Sequence, residues 1–317
     1  MRIASNTFTD NFLQQISTLQ QQENQLQSQA SSGLKVSLPE DNPTTMTEVL
    51  NLQTQAAQTT QYSQNVSSLQ TTTTTAYTAI QSLQNLMDQA STIASNASNS
   101  TNASSMPSYL TQIQGIIQQV MAVANTQDAD GNYIFSGVTT NTKPFTAATN
   151  SSGNYTSVTF NGSQGVNQIL VAPNLSVTAQ VPGVNTSGIG AKGLFQDTRN
   201  GSDIFAHLIS LQNDLVSGNQ TAIGSTDIPS LLNDTNNIAD QMGEIGAKQS
   251  LLNSTASSLS AVSTNITTQI SGLTSADMAT TLTKLQQTQT AYEAALQSGV
   301  KVFSLSLMNY LSGTSVG

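Results

Sequence analysis

Four stretches of this chain carry residue types at spacings that could do chemistry, and each lacks the partner its chemistry requires. Gly188-Ile189-Gly190-Ala191-Lys192-Gly193 matches the G-x-G-x-x-G loop that cradles a dinucleotide pyrophosphate. It follows a Pro/Gly-rich loop instead of a strand, and no βαβ unit surrounds it, so a plain loop is expected. Asp128, Asp130 and Asn132 have the alternating oxygens of a calcium loop, yet Gly131 comes two positions too early and Thr139 stands where the closing Glu belongs. A tight turn is the expectation there. Ser32-Gly33-Leu34-Lys35 and Ser298-Gly299-Val300-Lys301 satisfy the S-x-x-K nucleophile pattern, but no Lys-Thr-Gly accompanies them and so Ser-rich a chain produces such matches by chance. His207 is the only histidine, which excludes His-clustered metal sites and leaves a Ser/His machinery without a G-x-S-x-G elbow; it is expected on the surface or flank of a helix over 203–216. Asn-x-Ser/Thr triplets such as Asn96-Ala97-Ser98 follow from composition alone. No catalytic, cofactor-binding or metal residue is assigned, and no enzyme is expected.

Composition narrows the classes further. The 317 residues include only 37% hydrophobic and 5% aromatic side chains, with no Trp, which fits a thin, extended body better than one large globule. Charged residues make up 8%, their place taken by Gln, Asn, Ser and Thr. Burying a charge between subunits costs several kcal/mol unless it is paired, whereas a hydrogen-bonded amide or hydroxyl costs far less, so copies of such a chain can pack side by side. A net charge of −9 with eight scattered Lys and Arg argues against nucleic acid. No Cys is present, so nothing is cross-linked. Residues 1–30 carry Gln and Asn where a signal peptide needs an apolar stretch, and no run of about 18 apolar residues exists to cross a membrane, so no membrane partner and no cleaved signal are expected.

What remains is periodicity. At the front, Phe12, Ile16, Leu19, Glu23, Leu26 and Ala30 follow alternating steps of four and three, the spacing of a stripe that faces a partner helix. At the back, Met278, Leu282, Leu285, Gln289, Tyr292, Leu296, Gly299, Phe303 and Tyr310 continue the rhythm, with Leu307 beside them. A first helix over 6–32 is stopped by Gly33 and a connector with Pro39 and Pro43. A second, 44–93, has its seam at Tyr62, Val66, Leu69, Thr73, Ala76, Ile80, Leu83, Met87 and Ala90, unbroken through five consecutive threonines. A loop over 95–105 precedes a third helix entered at Pro107 and ending near Asn125. From Gly131 to about Gly193 the chain turns β-prone, with strands expected at 133–135, 155–160, 169–171 and 175–181. A helix over 203–216 follows. After Pro229 a helix to about Ser271 carries the seam Leu231, Thr235, Ile238, Met242, Ile245, Gln249, Leu252, Ala256, Leu259, Ser263, Ile266, Ile270 and Leu273, and should pack antiparallel to the second. The fold class is mainly α: an elongated antiparallel coiled-coil rod built from N- and C-terminal helices, with a small inserted β-rich domain. The segments are 1–43 (core helix and connector), 44–130 (rod), 131–200 (β-rich insert), 201–273 (rod) and 274–317 (core helix).

Met1-Arg2-Ile3, the segment from Ser32-Gly33 to Pro43, Asp130-Gly131-Asn132-Tyr133-Ile134-Phe135-Ser136-Gly137, Ile245-Gly246-Ala247 and the ending Leu305 to Leu311 together resemble the bacterial flagellar hook-filament junction family, the FlgL proteins. The most specific part is Gly131 to Gly137; about 140–200 matches nothing nameable. The resemblance implies that the terminal helices form a tubular core shared with flagellin, that the longer helices form a middle rod, and that the β-rich domain faces outward. It implies as partners copies of the chain in a ring or tube, the first hook-filament junction protein, flagellin and a flagellar export chaperone, at an extracellular location on the flagellum. Two features depart from the pattern: Pro39-Glu40-Asp41-Asn42-Pro43 replaces the usual paired Asp-Asp-Pro, and Ser312 to Gly317 extends past the usual ending. Two other classes share the terminal coils: a flagellin-like filament subunit, and a coiled-coil adhesin or secreted effector.

The assembly interface is therefore placed on Phe8, Phe12, Ile16, Leu19, Leu26, Leu282, Leu285, Tyr292, Leu296, Phe303, Leu307 and Tyr310. An isolated helix of some 25 polar-rich residues is marginal in water, while each buried Leu or Phe contributes roughly 1.5 to 3 kcal/mol. The termini are accordingly expected to order as copies dock. Glu23 and Gln289 interrupt their seams either by simple tolerance or to fix register, as a buried Asn does in coiled coils.

Overall fold

The computed structural model describes residues 2–101 and 103–312, without the side chains at 2–8, 103, 305–307 and 309–312. It is mainly helical, and its contacts gather it into two compact units, one of residues 1–57 with 263–317 and one of residues 58–262.

The first unit pairs α1 (Arg2–Ser32) with α7 (Met278–Ser312). Between them lies a pinned corner. Leu34 bridges Ser275, the Lys35 amide donates to the Thr274 carbonyl at 2.7 Å, and the Ala276 amide donates to the Gly33 carbonyl at 2.8 Å. The departing connector makes its own turn: one Asp41 carboxylate oxygen accepts the amides of Ser37 and Leu38, each at 2.9 Å. Those bonds, Ser37 first, hold the Asp41 carboxyl below the usual aspartate range. Asn42 then accepts the Thr45 amide at 3.1 Å, so α2 (Pro43–Ser98) starts with Asn at the cap and Pro in its first turn.

The second unit is built on α2 and α6 (Ile228–Thr274). Val66 and Leu69 share a buried cluster with Leu252 and Leu259, whereas the later α2 residues Ile80 to Met87 share one with Leu231, Ile238 and Ile245, the order of antiparallel helices. Gln70 donates to Asn253 across this pair at 2.7 Å. All five threonines lie within α2, each hydroxyl returning to the carbonyl four residues back, Thr73 to Leu69 at 2.8 Å among them. Contrary to the loop expected from Ser95, α2 runs on to Ser98, with Ala97 fully buried. Helix α3 (Met106–Ala124) carries Pro in its first turn and ends at Asn125.

Seven short strands follow: β1 (Phe145–Thr149), β2 (Tyr155–Phe160), β3 (Ile169–Ala172), β4 (Leu175–Val177), β5 (Val184–Asn185), β6 (Gln196–Asp197) and β7 (Ser202–Asp203). β1–β2 and β3–β4 are antiparallel hairpins; β5–β6 is parallel and β6–β7 antiparallel. Tyr133-Ile134-Phe135 is not a strand. Only Tyr133 bridges, to Gln127, while Ile134 and Phe135 are buried in the core, so apolar β-formers here report burial and not pairing. The strand expected over 175–181 stops at Val177, and β1 and β5 to β7 had not been expected. Phe145 organises the core, with ring centroids 4.9 Å from Phe195, 5.3 Å from Phe205 and 5.1 Å from Phe160. Gly137 closes the turn after Phe135 at φ 66°, where a Cβ would sit 2.0 Å from the Ser163 carbonyl oxygen. Helix α4 (Ile204–Ser217) is capped by Asp203, which accepts the Ala206 amide at 3.0 Å, and ends at a left-handed Gly218. A single turn, α5 (Gln220–Ala222), and a π-helical turn (Ile223–Asp227) lead into α6.

Candidate functional site

The paired terminal helices hold most of the residues placed at an assembly interface. On α1 the half-buried face is Phe12, Ile16, Leu19, Glu23, Leu26 and Ala30, the stripe read from the 4-3 rhythm. The facing stripe of α7 is Thr281, Leu285, Thr288, Tyr292, Ala295 and Gly299. It keeps the rhythm but is rotated by one position from the sequence reading at every second place. Leu285, Tyr292 and Gly299 face α1, while Met278, Leu282 and Leu296 point away, the last two 51% and 41% exposed. The cause is proximity: Gly299 lies so near Phe12 that a Cβ there would be 2.2 Å from the ring's Cζ, so small residues occupy the closest line. A run of small residues at this spacing was the available signal.

Two contacts set the register. The Phe12 ring meets Phe303 edge-on at 6.1 Å, and the Gln289 amide donates to the Glu23 carboxylate at 3.1 Å. The two polar interruptions of the seams thus bond each other, with α1 and α7 running antiparallel. At the start of α7, Asp277 accepts the Thr280 hydroxyl at 2.8 Å and the Ala279 amide at 3.0 Å, and these bonds, Thr280 first, hold its carboxyl below the usual range. Phe303 is 40% exposed; Val300, Leu13 and Met308 are more so. The side chains of Phe8, Leu307 and Tyr310 lie outside the described residues. The result is a helix pair that covers one stripe and leaves apolar side chains uncovered on its flanks.

The other motifs resolve into structure. Asn185 fills the glycine loop from within: its amide donates to the carbonyls of Ile189 at 2.8 Å and Ala191 at 2.6 Å, and its oxygen accepts the amides of Ser187 and Gly188. The Gly193 amide goes to Asp197, which also pairs with Arg199, so several donors a phosphate would need are taken. Asp128 accepts the amides of Asp130 and Asn132, each at 2.9 Å, and closes a turn on itself. In the first S-x-x-K, Ser32 accepts the Leu34 amide while the Lys35 ammonium reaches the Gly272 carbonyl at 3.1 Å, so hydroxyl and amine are separately engaged. His207 lies half-buried on the flank of α4, with Nδ1 2.8 Å from the fully buried Asp234. Ser202 donates its hydroxyl proton to the other oxygen of Asp234, so serine and imidazole meet the carboxylate from opposite sides and form a clamp. Sequence reading missed this clamp because its members are 27 to 32 residues apart. Among the described residues no group of three or more His, Cys, Asp or Glu is arranged so that it could hold a metal ion, and no helix is long and apolar enough to cross a membrane.

The helical parts match two family models, the bacterial flagellin N-terminal helical region over residues 3–140 and the bacterial flagellin C-terminal helical region over 231–311. This chain belongs to the bacterial flagellin family. Within that family it is 28% identical over 211 residues to flagellar hook-associated protein 3 of Escherichia coli K12, across 63% of this chain and 64% of that relative's length. Among solved structures, a flagellar protein of Vibrio parahaemolyticus superposes with a TM-score of 0.63 at 20% identity, over 74% of this chain and all of the other. Bacillus cereus FlgL follows at 0.55 and 17%, over 70% and 99%. At these identities the superpositions establish a shared flagellin-family fold: long helices with a small β-rich insert.

Proposed function

We propose that this chain is a structural adaptor of the bacterial flagellum, joining the hook, through the first junction protein, to the flagellin filament. The observation that carries the reading is the terminal helix pair with apolar flanks left uncovered, Leu282, Leu296 and Phe303 foremost. The similarity to hook-associated protein 3 supports a junction over a filament subunit, although the alignment spans 64% of that relative. In this reading residues 1–43 and 274–317 are covered by copies of the chain in a ring or tube, and the β-rich 131–200 is an insert between rod segments 44–130 and 201–273. The docking set is Phe12, Ile16, Leu19, Leu26, Leu282, Leu285, Tyr292, Leu296 and Phe303, with Phe8, Leu307 and Tyr310 continuing it. The partners are the first junction protein, flagellin and an export chaperone, and the chain reaches the flagellum without a cleaved signal.

Deleting the gene tests this directly: cells should keep hooks and shed flagellin into the medium, and filaments that stay attached would refute the role. The family membership also supports the flagellin-like reading. Purified chain that builds long filaments alone when seeded would favour it. Ordering on docking has its own test, hydrogen exchange of the dilute monomer, in which α1 and α7 should be far less protected than α2 and α6.

A further inference from the structure

We propose that the face where α4 meets the π-helical turn and the start of α6 is a proton-operated clasp, held more firmly in mild acid than at alkaline pH. The geometry is a second 4-3 stripe, made of titratable groups. On α4 and its cap it carries Asp203, His207, Ser210 and Asp214; opposite stand Asp227 of the π-helical turn and Asp234 one further stretch along α6. Three carboxylates, Asp234, Asp203 and Asp227, thus act on one imidazole, and Asp214 acts on Asp227. Asp234 is fully buried and spends its oxygens on the His207 ring at 2.8 Å, the Ser202 hydroxyl at 2.8 Å and the Asp203 amide at 3.0 Å. Asp203 accepts the Gln196 amide at 2.7 Å as well as capping α4. Asp227 differs from both. It is 1% exposed, and its Oδ2 has no hydrogen-bond partner among the described residues.

A buried carboxylate with an oxygen unpaired is tolerated best when protonated. Burial pushes the Asp227 carboxyl up to about 6; the Ser210 hydroxyl opposes this, and the neighbouring Asp214 carboxylate adds to it. Burial likewise raises Asp203, and the bond to Asp234 raises the His207 imidazole. All three signs agree. Asp227 contributes stability that is full below pH 3.8 and lost as pH rises through about 6. The His207 contribution is full below about 6.5 and lost above its raised value. The His207 imidazole on α4 opposes the rise of Asp227 more weakly than burial drives it, and no Lys or Arg is among the groups that shift Asp227.

The test is hydrogen exchange of the full chain at about pH 5.5 and about pH 8, corrected for intrinsic rates, reading the amides of α4 and of 223–240. Protection there should fall between the two pH values by about fourfold from Asp227 alone, because a carboxyl moved from 3.8 to about 6 has lost most of its contribution by pH 5.5, and the loss of the His207 proton adds to the fall. Asp227→Asn should flatten that slope and leave the segment at least as protected as wild type at the higher pH. A flat wild-type profile, or an equal slope in the variant, overturns the proposal. If Asp227→Asn does not fold, carboxyl carbon NMR of the wild type decides: an Asp227 midpoint near 6 supports the clasp, and one near the ordinary aspartate value overturns it.

Discussion

Residues 58–262 enclose four phenylalanine rings, Phe135, Phe145, Phe195 and Phe205, and the described part of the terminal pair encloses none. Phe135, Phe145 and Phe195 are all but inaccessible, whereas Phe12 is half-buried and Phe303 remains 40% exposed in the same chain. Both regions are helical and use the same 4-3 spacing, so local sequence does not separate them. The difference lies in what is left over: one region satisfies itself, and the other stops half-finished, with apolar surface available to a neighbour.

The largest test of that contrast is Phe195→Ala. It removes a ring packed on Phe135, Phe145 and Phe205, and denaturant unfolding should show a loss of about 3 to 5 kcal/mol with attachment of the flagellum impaired only through lower protein levels. Gly299→Ala should cost less, about 1 to 3 kcal/mol, and only in the terminal pair, because the new Cβ meets the Phe12 ring. Exchange of α1 amides reads it, and adding Phe12→Ala should remove most of the penalty; a penalty unchanged by the second substitution would deny the close approach. Leu282→Ser with Leu296→Ser should change the unfolding free energy of the monomer by under about 0.5 kcal/mol each yet leave flagellin in the medium. Equal loss of folding would erase the distinction between the regions. The Glu23–Gln289 contact is exposed, so a double-mutant cycle with Glu23→Ala and Gln289→Ala should give a coupling near 0.5 kcal/mol. Smallest is the acid response of the first unit. Asp41 and Asp277 are both depressed, so their contribution is present above pH 3.8 and lost as pH falls below it, opposite in sign to the clasp. Amides of Leu38 and Thr280 should lose protection in acid while those of α4 do not.

How much of this was readable in advance depended on whether one stripe could be told from its neighbour. The α2 seam was plain, since Val66, Leu69, Ile80, Leu83 and Met87 are large, apolar and buried on one side only. The α1 stripe was equally legible. On α7, two stripes share the rhythm, and a reading that rewards size chooses Leu282 and Leu296 over Thr281 and Ala295, although close helix approach needs the small ones. In the insert, Tyr155 to Phe160 declared itself by β-branched and aromatic composition, but β1 carries a weaker signal, with Ala147 and Ala148 in its middle, and two-residue strands such as β5 are fixed by tertiary packing. The His207 environment was invisible because Asp234 arrives from another helix.

The hydroxyls of Thr71 to Thr75 bear on what could pack beside α2. Each is already bonded to its own backbone, so a neighbouring molecule that displaces water from this surface strands few donors. With no charge in the run, ions in the medium have little to screen. A lateral contact made here should hold as well in brine as in fresh water, because shape is what it would recognise.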